Sequence, residues 1–114
     1  MLISGDVVAL DLGIPEGREA GFRHPAVVVT AQRILDADPS VVHVVPLTST
    51  IRAGFQSEVV IGPNQRNGLA VVSAALCQHV RAISPHRITD AQGNVGSFVL
   101  AQLRETIALL LDLP

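Results

Sequence analysis

The chain has 114 residues, an apolar fraction of 48%, a mean hydropathy of +0.44 and a formal charge of −2. That suits one domain that can build a core from side chains alone, and it excludes a disordered chain. Cys77 is the single cysteine, which excludes an intrachain disulfide and a cysteine-based zinc site; Lys, Trp and Tyr are absent, and all eight cations are Arg, so the totals lack the basic excess and aromatic platforms of most nucleic-acid-binding domains. At the N-terminus no basic residue precedes the apolar stretch and Asp6 interrupts it, unlike a secretory signal, and no apolar run approaches the ~18 residues of a membrane span. A cytoplasmic location is the expectation. Residues 7–12 form a short apolar strand stopped by Gly13 and Pro15, and residues 14–24 read as an exposed loop. Residues 25–30 are a β-branched, buried strand, residues 31–40 a turn or single helical turn, and residues 41–45 a strand around His43 that Pro46 ends or bulges. A polar loop over 47–56 leads to a strand over 58–61 and a Gly62-Pro63-Asn64 turn. Residues 69–73 and 76–83 are strand-like, and Ser84-Pro85 has the form of a helix cap followed by proline. Val99, Leu103, Ile107, Leu110 and Leu111 recur at helical spacing, predicting an amphipathic helix of about four turns from near Ser97. Five or six strands with short polar connections and one closing helix make a mainly β chain, a small antiparallel barrel, with residues 1–114 as one domain.

The common catalytic loops are missing, and the four histidines (24, 43, 79 and 86) have no metal-binding spacing. Any site must be assembled from loops. Three clusters qualify. Residues 16–25 hold two Glu, two Arg and a His directly before a buried strand. Residues 46–52 are rich in hydroxyls and end in Arg52. Residues 73–81 place Ser73, Gln78, His79 and Arg81 between apolar neighbours. Imidazole for proton transfer, guanidinium groups for phosphate and neutral hydrogen-bond donors together suit a phosphodiester substrate.

At these same places the sequence resembles the MazF/PemK toxin family. Gly5-Asp6-Val7-Val8 is similar to the family's opening G-[DE]-[IV]-[WY], with Val8 where an aromatic is usual. Residues 17–28, GREAGFRHPAVV, resemble its G-S-E-Q-x-G-x-R-P-x-[VL]-[VI]. Val45-Pro46-Leu47-Thr48-Ser49-Thr50 resembles [VA]-x-[LI]-T-[ST], and Leu76-Cys77-Gln78-His79-Val80-Arg81-Ala82-Ile83 resembles [AL]-x-[DE]-Q-[VI]-[RK]-[TA]-I. The likeness runs almost end to end, and its strength lies in four motifs in order. Aligned on the proline, the family's catalytic Arg position is His24, with Arg23 one residue earlier; either can fill the role.

The resemblance implies an SH3-like barrel with a C-terminal helix, shared by MazF, PemK and CcdB, working as a homodimer. It implies the toxin of a type II toxin–antitoxin system, a metal-independent, sequence-selective endoribonuclease on single-stranded RNA that leaves 2′,3′-cyclic phosphate and 5′-OH ends. No cofactor is expected. The expected partners are single-stranded RNA, a MazE-like antitoxin whose acidic tail fills the RNA groove, and a second copy of the chain. Arg23, His24, Thr48 and Glu19 are the catalytic candidates. Arg18, Phe22, Ser49, Arg52, Phe55, Ser73, Gln78 and His79 are the RNA-binding ones, with the groove between residues 13–24 and 48–57. Arg81 is assigned to a dimer interface or a structural ion pair. Two alternatives stand beside this: a gyrase poison of the CcdB type, and a catalytically weak member that binds RNA or antitoxin.

Overall fold

The computed structural model describes residues 1–11, 23–52 and 54–114, with Arg23 described by its backbone alone. Among the described residues seven strands form one antiparallel sheet: β1 (Asp6–Asp11), β2 (Arg23–Val28), β3 (Val42–Thr48), β4 (Glu58–Ile61), β5 (Ser73–Leu76), β6 (Arg81–Ile83) and β7 (Ile88–Asn94). A one-turn helix α1 (Gln32–Leu35) follows β2, and α2 (Gly96–Leu110) ends the fold. The strand order is β4-β5-β3-β2-β1-β7, with β6 also paired to β3. Among the described residues the two ends of this path do not pair, so the barrel-like sheet stays open there.

The near-continuous apolar run of β1 follows from its having both faces covered. Side chains alternate across a strand, and here the alternation feeds two cores. Val7 joins Val27, Val45, Leu47, Leu100 and Leu103 beneath α2. Val8 and Leu10 join Val28, Leu35, Val42 and Ile83 on the side of α1. Arg104 ties α2 to the end of β2, donating to the carbonyls of Val29 at 3.2 Å and Thr30 at 3.3 Å.

The structure differs from the sequence expectations at five places. The strand-like run 69–73 is not a strand of its own: its residues lead into β5, which runs from Ser73 to Leu76. β2 begins at Arg23, so His24 and Pro25 are strand residues facing Leu10 and Ala9 of β1. β3 continues through Pro46 to Thr48. Proline falls where β3 exchanges one neighbour for another, since Val42–Val44 pair with β6 and Leu47–Thr48 with β5, so no ladder on that side is broken. The run 76–83 is cut by a 3₁₀ turn, Cys77–His79. β7 had no expected strand at all; it pairs with β1 through two register shifts and leaves most of its polar side chains exposed. Among the described residues no helix is long and apolar enough to cross a membrane.

Candidate active site

The β1–β2 register fixes His24 opposite Leu10, half-buried at the strand start. It lines two adjacent cavities. The larger, about 510 Å³, brings His24 together with Pro46, Leu76, Gln78, His79 and Arg81. The smaller, about 330 Å³, runs from His24 and Pro25 to Leu69, Val71, Ser73 and Gln92. The 3₁₀ turn presents the polar residues of the larger one. Its first residue, Cys77, is fully buried, and the Cys77 N–H donates to the Ser57 carbonyl at 3.1 Å. Gln78 and His79 are therefore held outward on a turn anchored from below.

A third cavity, about 430 Å³, lies between Ile51, Arg52, Phe55, Glu58, Val60 and Ala74. At its edge the Glu58 side chain is only 2% exposed and forms an ion pair with Arg52. Gln78 donates to the same carboxylate oxygen at 2.9 Å. The Arg52 guanidinium lies 4.0 Å from the centroid of the Phe55 ring, a cation–π contact. The Arg52 hydrogen bond is the main influence holding the Glu58 carboxyl below its usual range. Burial opposes it, while the Gln78 hydrogen bond and the charges of Arg52 and His79 act in the same direction as Arg52. The other carboxylate oxygen is buried, with no hydrogen-bond partner among the described residues.

Of the sequence candidates, His24, Gln78 and His79 share one cavity, and Arg52 and Phe55 share the next, with Gln78 bonded to the carboxylate that holds Arg52. Thr48 closes β3 opposite Ala74 of the Arg52 cavity, and its Oγ1 accepts from the Thr50 N–H at 3.1 Å. Ser49 is exposed beside it. Ser73 is 6% exposed and its hydroxyl donates to the Val71 carbonyl at 3.1 Å, so it serves its own turn in the wall of the smaller cavity. Arg18, Glu19 and Phe22 lie outside the described residues, as does the Arg23 side chain; the Arg23 backbone pairs with Asp11. Arg81 is exposed in the His24 cavity, and the ion pair found among the described residues is Arg52–Glu58, not one of Arg81. Sequence reasoning missed Glu58. Its signal is a lone carboxylate at the head of the apolar stretch EVVI, six residues after Arg52. Cys77 is a packing residue, its thiol pushed up to about 11 by burial. Among the described residues, no three His, Cys, Asp or Glu side chains converge as metal ligands would.

Residues 3–111 match the family described as PemK-like, MazF-like toxin of type II toxin–antitoxin system. The chain belongs to the PemK/MazF toxin family. A relative in this family, endoribonuclease MazF9 of Mycobacterium tuberculosis (strain ATCC 25618 / H37Rv), is 33% identical over 99% of this chain and 98% of its own length. The solved MazE–MazF structure (Form-II) from Deinococcus radiodurans superposes with a TM-score of 0.75 at 26% identity, covering 97% of this chain and 96% of that one. A mycobacterial endoribonuclease in complex with its cognate antitoxin shares the fold, with a TM-score of 0.79 at 21% identity over 100% and 98% of the two chains. The small antiparallel barrel with a C-terminal helix is thus the PemK/MazF fold.

Proposed function

We propose that this PemK/MazF toxin is a sequence-selective endoribonuclease, with residues 1–114 acting as one domain. End-to-end likeness to a relative named as an endoribonuclease supports this. The observation that carries it is the cavity in which His24 meets Gln78, His79 and Arg81. Cleavage of RNA without a metal requires a base for the 2′-OH, positive charge at the phosphate and a proton for the leaving 5′-oxygen. An imidazole titrates near neutral pH and suits proton transfer. His24 takes the 2′-OH proton. Arg23 and Thr48 steady the non-bridging phosphate oxygens, a guanidinium offering paired, permanently charged donors. Glu19 orients this group. Arg18, Arg52, Ser49, Gln78 and His79 contact the strand, and Phe22 and Phe55 stack bases. The products are a 2′,3′-cyclic phosphate and a 5′-OH.

The partner that restrains it is a MazE-like antitoxin whose acidic segment competes for the same arginines, and the working unit is a homodimer in the cytoplasm, where the RNA is. The Deinococcus homologue was solved as a MazE–MazF complex. The test is incubation of pure protein with mixed-sequence RNA in EDTA, followed by sequencing of the 5′-OH ends. Cuts at one short sequence are expected. Intact RNA across all sequences, with growth arrest that gyrase mutations relieve, refutes the assignment.

A further inference from the structure

The mechanism above leaves one role empty, the proton for the departing 5′-oxygen. We propose that His79 is that general acid, facing His24 as general base across one cleft. The inference rests on the endoribonuclease reading and deepens it. Three observations support the pairing. Both imidazoles line the same cavity of about 510 Å³, and Arg81, two residues after His79, lines it too and is available to the phosphate. Both are held by backbone rather than by loose loops: His24 by the ladder opposite Leu10, and His79 by a 3₁₀ turn whose Val80 N–H returns to the Cys77 carbonyl at 3.2 Å. They also enter the cavity from two different elements, β2 and the turn before β6, so that the two groups are positioned independently.

Their neighbours differ: a carboxylate, Glu58, lies on the His79 side of the site, where a proton donor is needed. The positive form of His79 stabilises the Glu58 carboxylate. Glu58 is joined to the His79 turn through Gln78, whose amide donates to its carboxylate at 2.9 Å. Among the described residues, no carboxylate lines the cavity that His24, His79 and Arg81 share, and Glu58 borders it only through Gln78. On the strands beside His24, Asp11 and Arg23 face each other at the next register position, and Arg87 donates to the Asp11 carbonyl. Arg81 and Arg52 are the remaining cations around the two sites, Arg52 being spent on Glu58. In the reaction the 2′-OH proton passes to His24, the 2′-oxygen bonds to phosphorus, the bond from phosphorus to the 5′-oxygen breaks, and the His79 proton goes to that oxygen. The enzyme is left with His24 protonated and His79 neutral, and exchange with water resets both.

The test uses an oligonucleotide containing the cut site read from the 5′-OH ends, alongside the same oligonucleotide with sulfur in place of the bridging 5′-oxygen. A thiolate leaves without a proton, so it makes a general acid dispensable. His79→Ala and His79→Gln are expected to lose about 10²–10⁴-fold on the oxygen substrate and to recover most of that on the sulfur substrate. His24→Ala stays slow on both. His79 is exposed, so the parent's far-UV spectrum and melting point are expected in both variants. A His79 variant as fast as the parent on the oxygen substrate overturns the proposal, and so does one equally slow on both substrates. A parent that cuts no RNA overturns the endoribonuclease reading instead.

Discussion

Replacing Asn67 by Ala is expected to lower the melting temperature by about 12 °C. Asn67 is 1% exposed and lies in the connection between β4 and β5. Its side-chain NH₂ donates to the Gly62 carbonyl at 2.8 Å, and its Oδ1 accepts from the N–H groups of Asn64 at 3.1 Å and Leu69 at 3.0 Å. Three hydrogen bonds thus close the loop on itself. Each is worth about 1 kcal/mol net, since the loop residues Gly62 and Asn64 are exposed and water replaces part of what is lost. The sum is about 3 kcal/mol. Unfolding entropy of about 2.1 cal/mol/K per residue makes 1 kcal/mol worth about 4 °C in a chain of 114 residues. The chain has no Trp or Tyr, so the melt is followed by far-UV circular dichroism or calorimetry. Asn64→Ala is the control; its Oδ1 accepts from the Arg66 and Asn67 N–H groups at an exposed position, and a loss of about 1 kcal/mol is expected. An Asn67→Ala melting point within 3 °C of the parent refutes the reasoning, because it means the loop is held by something other than this side chain.

Gly93→Ala is expected to prevent folding or to lower the urea midpoint severely, because its Cβ would sit 2.3 Å from the Arg66 carbonyl oxygen and 2.5 Å from the Asn67 carbonyl carbon, both backbone atoms. Leu103→Ala removes a fully buried side chain of the core beneath α2 and is expected to cost about 3–4 kcal/mol in urea unfolding. Glu58→Gln tests the carboxylate held low by Arg52. A carboxyl whose folded pKa lies below its unfolded one adds stability that is complete above the unfolded value and lost as pH falls through the folded one. The variant's urea midpoint is therefore expected below the parent's at pH 7, with the gap closing on acidification. Cys77, buried with its thiol pushed up to about 11, is expected to resist an aromatic disulfide reagent at pH 8 in the native state and to react at once in urea.

The elements legible in the sequence were those whose period is written in apolar residues. β1, β4 and α2 were placed to within a few residues because Val7–Leu10, Glu58–Ile61 and the 99–111 stripe carry their pattern openly. β7 was invisible for the opposite reason: Ile88–Asn94 reads ITDAQGN, and what makes it a strand is the neighbouring β1 and the backbone seat that Gly93 and Asn94 find against Arg66, the Asn94 N–H donating to the Arg66 carbonyl at 2.8 Å. The break in 76–83 was hidden too, since CQHV has no turn residue; the Cys77 N–H turning to Ser57 makes it. In the candidate site, His24, Gln78 and His79 could be named because imidazole and amide side chains stand out among apolar neighbours; that residues more than fifty positions apart share a cavity depends on the β2–β3, β3–β5 and β3–β6 pairings. Glu58 was passed over because a charge at a strand end ordinarily faces water, and only the sheet reveals that Glu58 turns inward against Arg52.

The change of neighbours along β3 gives the molecule two separately adjustable halves. One side of the handover at Pro46 carries β2 and β6, and with them His24 and Arg81; the other carries the β4–β5 hairpin, with Glu58, its hold on Arg52, and Phe55 in the preceding loop. Substitutions in the hairpin can thus alter the cavity of Arg52 and Phe55 while the strand that presents His24 stays in place. A lineage under pressure from a changing antitoxin or a changing target has a part of the chain it can rewrite without rebuilding its chemistry.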